Sequence, residues 1–271
     1  MQQAHDFHDE CLALHAILAD LDERHYTLPT QFKAWTINDI LQHLHYFNRM
    51  AHLSLVDKAA FDAEWAELDP IRQTRGLVAA TAQRLPRDLT GKDLLATWHD
   101  DLPGMVEDFA KADPKTRLVW VGPPMSARSS ISARLMETWA HGQEIYDLLG
   151  LERQDHDRLR NIAHMGVTTY GWTFANRGLP EPGPMPYVRL IGPSGAIWEW
   201  GEPGADMIEG PAVGFCQVVT QTRNVADTDI VADGPAATQW MALAQCFAGP
   251  PIDPPAPGTR CRDPAGPRVH A

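Results

Sequence analysis

A chain of 271 residues, 44% hydrophobic and 21% charged, has material for one large domain or two modest ones around a buried core. Its net charge of -12 excludes a general nucleic-acid or anionic-membrane surface, because both need clustered Lys and Arg. No stretch approaches the ~18 consecutive apolar residues of a membrane span, and Met1 to Asp9 lacks the basic and apolar regions of a secretory leader. The expected setting is therefore the cytoplasm and the expected partner a small-molecule substrate, with no nucleic acid and no membrane; a homodimer is left open.

The spacings of Leu12, Leu14, Ile17, Leu18 and Leu21 place most of them on one stripe of a first helix, which Pro29 ends. Thr36 is placed to cap a second helix from Ile37 to Leu55, with Asp39 in the capping-box position where Glu is usual. Further helices are expected over 59–68, 71–85 and 91–111, the last capped by Thr90, with Pro and Asp-Pro breaks between them. The segment 115–124 reads as a crossing loop or a brief extended piece. Ser126 or Ser129 can open the next helix, and Gly150 can close it.

A helix over 157–177 precedes the run Leu179-Pro180-Glu181-Pro182-Gly183-Pro184-Met185-Pro186, the best domain boundary in the chain. Beyond it, 187–191 and 196–200 resemble two strands joined by Gly192-Pro193-Ser194-Gly195, followed by helices over 212–221 and 236–247 with a strand near 229–232. The expected domains are a helical unit over 1–178, a small α+β unit over 187–248, and a Pro-rich irregular tail over 249–271. That tail has too little apolar content to offset chain entropy and is either disordered or draped on the surface.

Chemistry concentrates at Glu137-Thr138-Trp139-Ala140-His141. Residues four apart on a helix lie one above the other, so the carboxylate and the imidazole can address one ion. If the helix carrying His43 packs alongside, the set becomes His43, Glu137 and His141 with an open position, the inventory of a catalytic zinc site. Leu135, Trp139, Ile145 and Leu149 make this helix apolar enough to be central, where a lone carboxylate needs a partner. Asp39, one turn before His43, either orients that imidazole or caps its helix. Twelve histidines offer rivals: His5, His8 and His15 share a face of the first helix, whereas His45 points away from His43 and His52 lies further on. Cys11, Cys216, Cys246 and Cys261 have no close spacing, which argues against a zinc ribbon or a dithiol motif.

Two segments carry a family resemblance: Trp35-Thr36-Ile37-Asn38-Asp39-Ile40 leading to His43-Leu44, and Glu137 through His141 to Gly142-Gln143-Glu144-Ile145. Together they resemble the metal-binding domain of the DinB-like superfamily, in the branch of the mycothiol-dependent maleylpyruvate isomerases, over about residues 5–175. The resemblance implies an α+β protein: an up-down four-helix bundle, here with extra short helices, followed by a small C-terminal α+β domain. It also implies a divalent metal, usually zinc, on His43, Glu137 and His141, and a low-molecular-weight thiol as a second cofactor. The segment Trp240 to Pro251 is more similar to an uncharacterised DinB-like subgroup than to the isomerase.

The expected activity is a thiol-dependent isomerase or S-transferase acting on a small electrophile through a metal-stabilised thiolate. The alternatives are a metal-dependent hydrolase, with Glu144 or Asp39 as base, and a non-catalytic metal- or ligand-binding protein. Arg189 and Arg223 are candidate anion anchors in the second domain or else ordinary surface arginines.

Overall fold

The computed structural model of the protein describes residues 1–264 and 266. The chain divides into two compact units, one built from 1–150 joined by Pro264 and Gly266, the other from 151–263.

The first unit contains α1 (Gln2–Ala19), α2 (Ile37–Val56), α3 (Lys58–Arg75), α4 (Leu77–Arg84), α5 (Gly91–Lys111) and α6 (Ala127–Leu148), with a two-stranded ladder of β1 (Arg117–Leu118) and β2 (Met125–Ser126). Helices α1, α2, α5 and α6 form the bundle: α1 and α2 each pack against both α5 and α6. Each turns an apolar stripe inward, from Phe7, Leu14 and Leu18 on α1 to Leu135 and Trp139 on α6. Burying side chains of this size stabilises the fold by about 1.5–3 kcal/mol each, before entropy is counted. A satellite core of Tyr46, Phe47, Met50, Phe61, Leu68, Ala80 and Leu85 sits where α3 and α4 fold back on α2.

Helix starts follow local chemistry. The capping box at α2 is reciprocal: Thr36 Oγ1 accepts from the Asp39 N–H at 3.1 Å, and Asp39 Oδ2 accepts from the Thr36 N–H at 2.8 Å. Ser126 Oγ accepts from the Ser129 N–H at 3.1 Å and opens α6. Thr90, expected to cap α5, makes no such bond. Its task passes to other segments, since Asn38 Oδ1 accepts from the Gly91 N–H at 2.8 Å and Glu23 Oε1 from the Lys92 N–H at 3.1 Å.

The break expected at Asp69-Pro70 is absent. Helix α3 runs through Pro70, with the Asp69 carboxylate accepting from Arg72 Nε at 2.8 Å and Gln73 Nε2 at 2.6 Å across that turn. The chain stops instead at Gly76, whose φ of +83° is costly for residues with a Cβ.

The second unit contains α7 (Arg160–Thr168), α8 (Tyr170–Ala175), β3 (Tyr187–Ile191), β4 (Ile197–Trp200), β5 (Met207–Pro211), α9 (Ala212–Val219), β6 (Val231–Asp233) and α10 (Pro235–Leu243). Its sheet has the order β4-β3-β5-β6, antiparallel except for the parallel pair β3 and β5. Helix α9 covers β3 and β5, and its Phe215 meets Trp240 of α10 edge to face at 5.8 Å.

Three expectations need correction here. The units divide after Gly150 rather than at 178, because α7 packs on α9 and α8 on α10. The single helix expected over 157–177 is interrupted at Thr169, with φ -99° and ψ 14°. Strand β5 was not expected; it needs glycine at 210, where φ is +144° and a Cβ would stand 2.6 Å from the Asp229 carbonyl oxygen.

The tail expected over 249–271 follows the draped alternative as far as 263. Gln245 Nε2 donates to the Pro250 carbonyl at 3.1 Å, Asn224 Nδ2 to the Pro255 carbonyl at 2.8 Å, and Arg177 Nη1 to Asp253 at 2.8 Å. Its residues 265 and 267–271 lie outside the described residues. No helix among the described residues is long and apolar enough to cross a membrane.

Candidate metal centre

His43 stands on the second turn of α2, whose start is pinned by the Thr36 and Asp39 box, and Glu137 and His141 occupy successive turns of α6. The packing of α2 on α6 brings all three together. His43 Nε2 lies 3.0 Å from Glu137 Oε2, and His141 Nε2 lies 3.3 Å from the same oxygen. One ligand atom from each residue falls within 4.8 Å of the others, and no other group of three or more His, Cys, Asp or Glu among the described residues meets that test.

These spacings suit a cation. Ligands about 2.0–2.2 Å from a tetrahedral ion stand about 3.3–3.5 Å apart, so a small expansion of the three side chains would accommodate one. The donor set of two imidazoles and one carboxylate fits zinc and leaves a fourth position without a protein ligand.

Electrostatics point the same way. Burial pushes the His43 imidazole down to about 4, despite an opposing hydrogen bond with Glu137. Burial alone would push the Glu137 carboxyl up, but hydrogen bonds with His141 and His43 outweigh it and hold the group well below the usual carboxylate range. Neutral imidazole beside ionised carboxylate is the protonation pattern that metal ligation requires.

An aromatic wall encloses the triad. The Trp35 ring stacks on His141 at 5.5 Å and 9° and lies 5.5 Å from His43; Phe32 stands 5.2 Å from His141, and Phe47 stands 4.9 Å from His43. Phe32 and Trp35 flank a tight turn in which the Trp35 N–H donates to the Phe32 carbonyl at 2.9 Å. Its central residues, Lys33 and Ala34, have φ of 53° and 56°. Left-handed backbone costs a residue with a Cβ about 1–2 kcal/mol, and here that strain sits where the two rings are aimed at the histidines. The bridge between Pro29 and Thr36 closes the loop at its base.

Asp39 serves as a cap, with Oδ2 also accepting from Thr36 Oγ1 at 2.7 Å. It does not orient His43, whose Nδ1 is buried without a hydrogen-bond partner. Three of the rival histidines are engaged elsewhere: His15 faces His99 at 4.4 Å between ring centroids, His45 lies 3.8 Å from Asp101, and His52 lies 2.7 Å from Asp108. Arg189 lies between Glu199 and Glu209, at 3.9 and 3.5 Å. Arg223 is buried and donates to the Thr222 carbonyl at 2.8 Å. Neither is an exposed arginine awaiting an anion. Of the four thiols, Cys11, Cys216 and Cys246 are buried and Cys261 is exposed. Burial pushes the Cys216 thiol well up, away from nucleophile chemistry.

Sequence reasoning passed over Phe32, Phe47, Asn48 and Arg134. Arg134 precedes Glu137 by three residues and His141 by seven, so the helical stripe was there to be read. It is buried, and its Nε donates to Asn48 Oδ1 at 2.9 Å.

Comparison with known proteins agrees with this architecture. The family model of the mycothiol maleylpyruvate isomerase N-terminal domain matches residues 7–146, just over half of the chain and inclusive of all three triad residues. The uncharacterized proteins Rv0036c and MT0041, from two strains of Mycobacterium tuberculosis, are each 38% identical over 249 residues, covering 91% of this chain and 95% of theirs. Crystal structures of the mycothiol-dependent maleylpyruvate isomerase and of a histidine-to-alanine mutant share the fold. Each has a TM-score of 0.52, at 14% and 13% identity, over 87% of this chain and 94% of theirs. The chain belongs to the mycothiol maleylpyruvate isomerase N-terminal domain family.

Proposed function

We propose that this protein is a thiol-dependent enzyme in which His43, Glu137 and His141 hold a divalent cation, zinc by donor chemistry. It would act as an isomerase or S-transferase on a small electrophilic substrate. The observation that carries this reading is the convergence, inside an aromatic enclosure, of three metal-competent side chains from two helices that are separated in sequence by three others. Family membership supports the thiol, since the solved relative is a mycothiol-dependent maleylpyruvate isomerase.

A bound divalent cation supplies Lewis acidity that stabilises a thiolate in place of a thiol. The remaining work falls to the chain. His43, kept neutral by burial, and Glu137, kept ionised, present lone pairs without first losing a proton. Trp35, Phe32 and Phe47 exclude water from the pocket edge, which strengthens charge interactions there. Because buried Cys216 is a poor nucleophile, an external low-molecular-weight thiol is the better source of sulfur. The engagement of Asp39 with Thr36 removes one candidate base from the hydrolytic alternative.

The decisive experiment has two arms. Elemental analysis of untagged, zinc-loaded protein should give about one equivalent of metal, falling below about a tenth in His43→Ala and His141→Ala. Full occupancy in both variants would show the ligands to be wrong. The loaded protein should then turn over electrophilic acceptors only when a thiol is added; turnover without thiol would transfer the reading to hydrolysis.

A further inference from the structure

One turn along α6 from Glu137, the structure contains a buried cation that lacks a buried counter-ion in contact. Arg134 is 2% exposed, and no ion pair within 4 Å involves it among the described residues. Its Nε donates to Asn48 Oδ1, while its Nη2 and the Nδ2 of Asn48 are both buried without a hydrogen-bond partner. Two N–H donors from neighbouring side chains are thus left over in the same place. The largest favourable charge effect on Arg134 comes from Glu137, which the two histidines already occupy.

Such an arrangement is expensive. Breaking up a buried ion pair costs several kcal/mol because one charge is left uncompensated, and each orphaned buried donor forfeits the free energy of its lost hydration. A buried polar group without a partner calls for a missing acceptor. The arrangement also lies against the triad, close enough for the guanidinium to disfavour a second positive charge on His43. A cation on the triad would add positive charge beside Arg134 and increase the demand for an anion.

We propose that Arg134 and Asn48 form an anion subsite beside the triad, built for one small carboxylate. A guanidinium N–H and a carboxamide N–H side by side match the two oxygens of a planar carboxylate, and the guanidinium supplies the charge. The carboxylate could belong to a substrate or to a thiol cofactor. The subsite deepens the proposed function by naming a group that one of its ligands carries, and its placement beside a metal rests on that reading. The anion binding itself does not.

The test uses the full chain stripped of metal, with formate as the probe. Thermal unfolding is followed as formate replaces chloride at constant ionic strength. The wild-type midpoint should rise saturably, by about 3 °C at a formate concentration about ten times Kd. Arg134→Met, which removes the charge and keeps the volume, should abolish the rise and be at least as stable as wild type without formate. Asn48→Asp supplies an internal carboxylate to the same guanidinium, so it should raise the midpoint without formate and lose the formate response. His141→Ala should keep the response while losing zinc, which separates failure of the subsite from failure of the metal centre.

A wild-type midpoint that does not distinguish formate from chloride would overturn the subsite. So would an Asn48→Asp variant that still responds in full. To tell the two carboxylate sources apart, methylated acceptors and decarboxylated thiols are compared in binding to wild type and Arg134→Met. Whichever partner loses affinity for wild type, but not for the variant, carries the recognised group, and equal losses in both proteins would refute the assignment.

Discussion

Two polar layers cross the same pair of helices, and they are satisfied in opposite ways. In the layer of His43, Glu137 and His141, acceptor and donors answer one another at 3.0 and 3.3 Å, so the site is held in shape by its own hydrogen bonds. In the layer of Arg134 and Asn48, one bond of 2.9 Å leaves two donors over. The first layer satisfies itself through hydrogen bonds that a cation would replace; the second carries a surplus of positive charge. The comparison teaches that burial alone does not define a site. What matters is the balance of donors, acceptors and charge after the protein's own contacts are counted.

The largest effect expected from breaking this contrast is in the first layer. Glu137→Gln keeps the shape but removes the only carboxylate, and zinc affinity measured by competition with a chelator should fall at least 100-fold. Retained affinity would mean that the carboxylate is not a ligand. Next comes the wall: Trp35→Ala removes the ring stacked on His141 and should destabilise the fold by about 2–3 kcal/mol in urea titration. Its fluorescence also offers a direct reading, because zinc loading should change Trp35 emission in wild type and leave the emission of the Trp35→Ala variant unaltered.

Smaller effects sharpen the picture away from the triad. Ala34→Gly relieves left-handed strain in the Phe32 to Trp35 turn and should raise stability by about 1 kcal/mol, less the entropy that Gly adds to the unfolded chain. A loss of stability would show that the turn is held without strain. The smallest effect concerns Glu64, which hydrogen bonds to Arg84 and Tyr46 hold below its ordinary value of 4.5, despite opposing burial. A carboxyl with a depressed folded value stabilises fully above its ordinary value and loses that contribution as pH falls through the folded one. Stability of wild type should therefore decline below about pH 4.5 more steeply than that of Glu64→Gln; parallel acid limbs would dismiss this pair as a contributor.

Much of the helical unit was legible because its signals are local. Thr36 with Asp39, Ser126 before α6, and Gly150 at φ +70° after it act within a turn of themselves. The triad was legible in part: the spacing of Glu137 and His141 is local, but His43 joins them only if its helix packs alongside, a condition that the sequence could state and the family resemblance support. What escaped reading was set at a distance. The partner of α5's first turn is Asn38 rather than Thr90, and Pro70 sits inside a helix that neighbouring side chains sustain. Strand β5 exists because β3 offers it a parallel edge, a preference no window of its own five residues declares. Arg134 reads on paper as one more polar residue on a helix. Its stripe with Glu137 and His141 is local, but its pairing with Asn48, 86 residues away, appears only in the fold.

The separation of His43 from Glu137 by 94 residues has a consequence for biosynthesis. During translation, α2 leaves the ribosome long before α6, so the imidazole of His43 waits through the synthesis of α3, α4 and α5 without its carboxylate. Any ion captured early would be held by weak, local ligands and exchanged freely. On the proposed reading, the three-residue chelate would come into being only with the closure of α6 onto α2, so tight metal retention would report that the bundle has been completed.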